Sequence, residues 1–384
     1  MIELFIAYRH IKERKFQTFI SIISVALSLI VFIVSLTISN GLKENMINSL
    51  LTLSPHISIK YTPKVEGDYK QIIKKVKEHG AKTTVSNVYV QGFVKYNDNN
   101  YMPIIRATEI EKLNLNLVKK NKVSGIDYAY IGQEMAKDMH INLGDDISVA
   151  SLNGREIRVK VQGFFKTGFL AYDSNLVIMP LEVGQILEET GDNINSLDVR
   201  VEHPGDIKSL NELKQKINSI NDDIQATTWA DENENLLAAV HFEEFILILI
   251  LSMLFLISSF IVSIILNILI REKTSDIGIL KACGYTKGMI KRIFIIEGSM
   301  LGIGGIILSA ILSPIVLRVI QIISKNYLIK TYYISNLIIK IDIKEELLIY
   351  AISFLIILLA SYLPSRKAAK LDVTEAIRFN LWTY

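Results

Sequence analysis

Residues able to do chemistry are present in this sequence, but they are not assembled. There are six histidines, one cysteine (Cys283) and 39 acidic residues. No group of them has the spacing of a metal site. His-Glu-x-x-His, Gly-x-Ser-x-Gly and Gly-x-x-x-x-Gly-Lys-Ser/Thr are all absent. Zinc hydrolysis, serine acyl transfer and ATP binding therefore have no local signature, and any ATP energy used must be bound by another chain. The paired carboxylates Asp145-Asp146 and Asp222-Asp223 fall in turn-like sequence, where solvation is the ordinary reading. Two features of another kind remain. One is a basic, amphipathic stretch, 271–292, between two apolar runs. The other is Glu297, a carboxylate near the start of an apolar run, where burial is costly unless it is paired.

The elements that must position these features are membrane spans. Half of the 384 residues are hydrophobic, 21% are charged and the formal net charge is +3, so bulk electrostatics make no case for nucleic-acid binding. The apolar residues concentrate in four runs: 16–42, 245–270, 293–317 and 347–364. About 20 residues at about 1.5 Å each cross a bilayer. The first run is too long for the apolar core of a cleaved signal peptide, and no small-residue cleavage site closes it. Pro364 reads as the end of the fourth run. The fold class expected is a membrane protein of four transmembrane α-helices, with a large extracytoplasmic α+β domain between helices 1 and 2.

Orientation follows from the short-loop positive charge. The arm 1–15, the segment 271–292 and the tail 365–384 are the basic side and are read as cytoplasmic. The loop 318–346 is then extracytoplasmic, as is the domain 43–244, which carries 23 Lys/Arg against 29 Asp/Glu. Cys283 lies on the reducing side, where a free thiol is expected. None of the cytoplasmic pieces is long enough to bury a catalytic core, so a kinase, cyclase or similar enzyme domain is excluded. The chain itself is expected not to be an enzyme.

Within 43–244, strands are expected at His56–Tyr61, Val85–Tyr96, Tyr101–Ala107, Ile147–Leu152, Glu156–Val161, Leu176–Met179 and Leu197–Val201. Helices are expected at Tyr69–His79, Gln133–His140, Leu181–Glu188 and Ile207–Ile220. Asn153-Gly154 signals a tight two-residue hairpin. The expected arrangement is two lobes, one from 43–105 and 205–235 and an inserted one from 106–200.

The 271–292 stretch reads as a short lever continuous with the second span. Ile277, Leu280 and Lys281 lie at helical spacing, and Gly284 is a plausible stop. The arm places Leu4, Phe5, Tyr8 and Ile11 on one face, as an interfacial helix would. In the third span, Gly298, Gly302 and Gly305 suit close helix packing.

These stretches together resemble a known family. Arg-Glu-Lys-Thr-Ser-Asp-Ile-Gly-Ile-Leu-Lys-Ala-Cys-Gly-Tyr (271–285) is similar to the coupling segment of the permeases of type VII ABC transporters, the group that includes MacB, FtsX, LolC and LolE. The run Ile-Phe-Ile-Ile-Glu-Gly-Ser-Met-Leu-Gly-Ile-Gly-Gly and the tail Leu-Pro-Ser-Arg-Lys-Ala-Ala-Lys-Leu-Asp-Val-Thr-Glu-Ala-Ile-Arg also resemble that group. The start, Phe-Ile-Ala-Tyr-Arg-His-Ile-Lys-Glu-Arg-Lys, and the stretch Phe-Lys-Thr-Gly-Phe-Leu-Ala-Tyr-Asp-Ser-Asn-Leu-Val-Ile-Met-Pro-Leu-Glu look most like the lipoprotein-releasing permeases LolC and LolE.

The resemblance implies a non-catalytic permease subunit in the inner membrane, coupling ATP hydrolysis elsewhere to extraction of lipoproteins. It implies contact with an ATPase through Glu272, Lys273, Asp276, Ile277, Leu280, Lys281, Gly284 and Tyr285. It implies a lipid or cargo cleft along Ile22, Ala26, Ile30, Ile33, Phe255 and Phe260. ATP and Mg would sit on the ATPase, in two copies, and a second permease chain, identical or homologous, would complete the assembly. A MacB-like efflux or export permease and FtsX-like signalling to a cell-wall hydrolase stay open as alternatives. The family member that recruits the carrier chaperone LolA does so through an extended hairpin. Here the corresponding connection is only Asn153-Gly154, which fits a non-recruiting partner or a system without that step.

Overall fold

The computed structural model describes residues 2–61, 69–97, 99–113, 115–121, 125–220, 224–331 and 342–372. The chain divides into two compact units, residues 1–42, 241–326 and 337–384 forming one, and 43–240 with 327–336 the other. In chain order the elements begin with α1 (Ile2–Glu13), α2 (Lys15–Leu53), β1 (Ile57–Tyr61), α3 (Tyr69–Glu78), β2 (Thr83–Val90), β3 (Gly92–Tyr96), β4 (Asn99–Tyr101) and β5 (Ile104–Thr108). Next come β6 (Leu117–Lys120), β7 (Tyr128–Gly132), α4 (Gln133–Asp138), β8 (Asp146–Ser151), β9 (Glu156–Phe165), α5 (Leu170–Asn175), β10 (Leu176–Pro180) and α6 (Leu181–Glu188). The chain continues through β11 (Ser196–Arg200), α7 (Ile207–Asn218), β12 (Ile224–Thr228), α8 (Trp229–Glu232), α9 (Glu234–Glu272), α10 (Thr274–Ala282), α11 (Lys287–Thr331) and α12 (Ile343–Lys370).

In the helical unit, α2, α9, α11 and α12 are long and apolar enough to cross a membrane. Each outruns the apolar run read from sequence. The loop expected at 318–346 is helical to Thr331, because nothing from Arg318 onward, neither glycine nor proline, stops α11. Pro364 does not end its helix either: α12 passes through it to Lys370. In hydrocarbon, a broken helix would leave carbonyls without water, so continuing past a proline is the cheaper course. Around Pro364, the Ser361 hydroxyl donates to the Ile357 carbonyl at 2.8 Å, and Ser365 to Ser361 at 2.6 Å.

Small residues set the packing of this bundle. A side chain at Gly298 would overlap Ser361 of α12, one at Gly302 would press on Ile357, and one at Gly305 would overlap Val25 of α2. Ser24 and Ser258 share a 3.0 Å hydrogen bond between α2 and α9. The interior is Val25, Leu29, Phe255, Val262, Leu266, Leu301 and Ile357.

The other unit is built on one sheet of twelve strands, in the order β12-β1-β11-β2-β5-β10-β7-β9-β8-β3-β4, with β6 on β9. Pairing is antiparallel except for β10 with β5 and β7 with β9. This corrects the two-lobe expectation. β3 and β4 pair beyond β8 at the far edge, and β11 is inserted between β1 and β2. Alternating apolar residues show which strand faces are buried, but they do not select neighbours. The expected strand Val85–Tyr96 is divided at Gln91 into β2 and β3. Strands β6, β7 and β12 and helix α5 have no counterpart in the sequence reading.

One sheet face is covered by helices over two cores. Leu50, Ile57, Ile59, Val76, Leu197, Val199, Ile217 and Trp229 fill the first. Val88, Ile105, Ile131, Val149, Val161, Val177 and Met179 fill the second. The opposite face carries a buried ion pair: Arg106 donates to Asp198 at 2.6 Å, to Asn87 at 2.9 Å and to the Leu53 carbonyl at 2.9 Å. Burial pushes the Asp198 carboxyl up, against the pull of Arg106.

The β8–β9 connection is not the two-residue turn expected. Ser151 and Arg155 close it, Gly154 alone has positive φ (+90°), and its N–H donates to the Ser151 carbonyl at 3.0 Å. A two-residue type I′ turn needs positive φ at both central residues. Here Asn153 stays negative, and Gly154 takes the left-handed position of a three-residue loop.

Candidate functional site

At one end of the helical unit, α1, α10 and the adjoining ends of α9, α11 and α12 enclose a small core of their own. It consists of Ala7, Leu269, Ile270, Ile277, Ile290, Ile293, Phe294 and Ala368. The expected lever lies here, but it is not continuous with the second span. α9 ends at Glu272, and α10 starts at Thr274, with Lys273 between them as its N-cap. The Thr274 hydroxyl donates back to the carbonyls of Ile270 (3.0 Å) and Arg271 (2.8 Å), an interaction that bends helices.

At its other end α10 stops as its sequence demands. The Tyr285 N–H reaches the Leu280 carbonyl at 3.1 Å, and the Gly284 N–H reaches Lys281 at 3.0 Å. Gly284 has φ +95°, so the turn is a Schellman motif that a side chain would strain.

Three sets of polar ties hold α10 and its junction with α9 in place. Lys273 reaches Glu13 of α1 at 3.2 Å and Asp276 at 3.1 Å. Partial burial draws Lys273 down, but Asp276 and Glu13 outweigh it and leave the ammonium above the usual lysine range. Glu272 pairs with Arg14, the residue between α1 and α2. On the far side, Lys281 donates to the Ala369 carbonyl at 2.9 Å and also to Leu371, at the C-terminal end of α12. Burial lowers Lys281, with Lys287 adding to the effect.

The residues expected to meet an ATPase therefore divide. Glu272 and Asp276 are exposed, and Gly284 is exposed at the turn. Lys273 and Lys281 are turned into intramolecular bonds, and Leu280 and Tyr285 pack partly on the small core. Ile277 is only 2% exposed, so it is not a contact residue but the inward anchor of α10. The apolar side chain that α10 presents outward is Ile279, 54% exposed, beside Ala282 and Cys283. The alternation of small and apolar residues in 277–283 did not reveal which side faces inward, because either face could have been buried.

The six cleft residues do not line one surface. Ala26, Ile33 and Phe255 are buried inside the bundle, Ile22 packs on Gly304 and Gly305, Ile30 is half-buried, and Phe260 is 64% exposed. Phe255 and Phe260 are five residues apart, about 140° around a helix, and cannot share a face. The apolar surface left open on α2 runs through Phe16, Phe19, Ile20, Ile23, Leu27 and Val31. That on α9 runs through Phe245, Leu249, Met253, Leu256, Phe260 and Ile264. Both helices are apolar all round, so sequence alone could not separate the inner face from the outer one.

Four helices long and apolar enough to cross a membrane, a sheet-rich unit between the first and second, and a short helix tied at the bundle end define the class: a multi-pass membrane protein. Family comparison makes this specific. Residues 18–217 match the MacB-like periplasmic core domain, and residues 248–373 match the FtsX-like permease C-terminal region. The chain belongs to this MacB/FtsX-like family of ABC transporter permeases, with its sheet-rich domain periplasmic and its helices in the inner membrane.

The chain is 23% identical to the lipoprotein-releasing system transmembrane protein LolC of Neisseria meningitidis, over 98% of this chain and 99% of that one. It is 23% identical to LolE of Haemophilus influenzae, over 93% of each. The periplasmic region of MacB from Actinobacillus actinomycetemcomitans aligns with 47% of this chain and 92% of that one, at 11% identity and a TM-score of 0.33. Permeases of this type imply an ATPase and a second permease as partners.

Proposed function

We propose that this chain is the permease subunit that transmits ATP-driven motion from a separate ATPase to extraction of lipoproteins from the inner membrane. The observation that supports this reading is the tying of α10. Lys273, the N-cap of this short helix, is bonded to Glu13 of α1, the adjoining Glu272 at the end of α9 to Arg14 at the α1–α2 junction, and Lys281 to α12. Its outer face presents Ile279, with Ala282 and Cys283 exposed beside it. A partner moving that face would shift the ends of several spans together.

In this reading both termini and α10 are cytoplasmic. Two ATPase subunits carry the ATP and Mg, and a second permease chain, identical or homologous, completes the membrane part. The lipid anchor rests on the open apolar surface of α2 and α9. Withdrawing an acyl chain costs about 0.8 kcal/mol per methylene, so a multi-acyl anchor needs external work. The short β8–β9 loop supports release without a hairpin-type chaperone hook on this chain. A periplasmic carrier would then dock on the second permease.

The test is reconstitution of the chain, its ATPase and any sister permease in liposomes bearing a lipoprotein, with a carrier supplied. Release of lipoprotein that depends on ATP hydrolysis is expected. Hydrolysis without release would reject lipoprotein extraction and return efflux or signalling to first place.

A further inference from the structure

Glu297 lies within α11 and is fully buried, and neither of its carboxylate oxygens has a hydrogen-bond partner. Facing it is His10 of α1, 9% exposed, whose Nδ1 is also without a hydrogen bond and lies 3.8 Å from Oε2. The His10 ring also sits 6.3 Å from the Phe294 ring, centroid to centroid. A buried carboxylate with no partner is among the most costly arrangements in a membrane helix, and proteins resolve it by pairing. At 3.8 Å the contact is an ion-pair distance, one small side-chain adjustment from a hydrogen bond.

The apolar hold on the middle of the arm is small: Ala7 and the partly buried Ile6 pack on the bundle-end core. Of α1, only Ala7 and His10 are buried, while Leu4, Phe5 and Tyr8 are more than half exposed. Its polar ties include Glu13 with Lys273 and the Ile11 carbonyl accepting from Thr18 at its C-terminal end, and Glu3 feels the charge of Arg292 near its start.

We infer that His10 and Glu297 are a positioning pair: one proton held between imidazole and carboxylate seats the N-terminal arm in the bundle beside α10. When the arm is seated, Glu297 is compensated. When it lifts, Glu297 is stranded in an apolar helix. The pair therefore makes arm seating a two-state property, set by charge more than by the small apolar contact of Ile6 and Ala7. This inference concerns the arm and does not depend on what the transporter carries.

The test is amide hydrogen exchange, read by mass spectrometry over residues 2–13, on the full chain in detergent. A released helix of twelve residues is marginal alone and should exchange freely. Exchange of the arm should rise about 10-fold or more in His10→Ala, Glu297→Ala and the near-isosteric Glu297→Gln, since each removes one member of the pair. The double variant His10→Ala/Glu297→Ala should exchange more slowly than either alanine single, because no ion is left unpaired. Parent-rate exchange in Glu297→Gln would overturn the inference, as would a double variant exchanging as fast as the singles. Glu297→Gln changes neither size nor shape appreciably, so it reads charge even where an alanine variant folds poorly.

Discussion

The Lys281 ammonium donates to the Ala369 carbonyl at 2.9 Å, fastening α10 to the C-terminal end of α12. A cation there also faces the negative end of the helix dipole. The side of α10 bearing Lys281 and Ile277 is thus turned to its own chain, and the side bearing Ile279 is not.

This division predicts opposite outcomes for two neighbouring substitutions. Ile279→Asp should leave the melting temperature nearly unchanged and abolish copurification with the ATPase. Ile277→Asp should destabilise the helical unit by about 3–5 kcal/mol, since a carboxylate would replace a fully packed side chain. Thermal melts of detergent-solubilised protein beside copurification distinguish the two. Loss of ATPase binding in neither variant would show that α10 is not the contact.

Glycine substitutions in α11 should separate by packing rather than by helix propensity. A Cβ at Gly305 would lie 2.6 Å from that of Val25, whereas one at Gly288 meets nothing closer than the Thr286 hydroxyl at 3.8 Å. Gly305→Ala should cost about 1–3 kcal/mol through overpacking. Gly288→Ala should be neutral or stabilising by up to about 1 kcal/mol. Unfolding in graded denaturant checks both signs.

In the periplasmic domain, Asp198→Ala should cost about 3–5 kcal/mol, because it leaves the Arg106 guanidinium buried without its counter-ion. Replacing both with apolar residues of similar volume should recover most of the loss. Urea unfolding followed by Trp229 fluorescence, with Trp382 changed to Phe, is a direct measure. Equal losses in the single and double variants would show that the two residues contribute by size and not by charge.

His56 makes this domain sensitive to acid. Burial is the main cause, and the charge of Arg200 adds to it, pushing the imidazole down to about 4. Its Nδ1 accepts the Val201 N–H at 2.9 Å, a bond that needs the ring unprotonated. The folded pKa lies below the unfolded value of about 6.5, so the stability contributed is complete above about 6.5. It is lost as pH falls from there toward 4. After allowance for solvent screening, the loss is on the order of 2 kcal/mol. The Trp229 signal should show a pH-dependent midpoint between 6.5 and 4 that His56→Phe removes. An unchanged slope in that variant would assign the acid sensitivity to other groups.

Much of the plan of this molecule is legible in its order of residues. Four apolar runs, the basic stretches beside them and the Gly284 stop follow from local physics: hydrocarbon disfavours charge, and a left-handed C′ position selects glycine. The separate helices and hairpins of the domain are also visible, as with Leu181–Glu188 and the Ile147–Val161 region. What pairs with what is another matter. That β11 lies between β1 and β2, or that β3 joins β8, rests on contacts between distant segments that local periodicity does not encode.

The same holds for the faces of the spans. Phe255 and Phe260 are alike in sequence, yet one is core and the other faces outward, because only the neighbouring helices give an apolar helix an inside. Glu297 could be singled out from its type and place alone. Its partner, His10, lies 287 positions away, and only tertiary packing could bring the two to 3.8 Å.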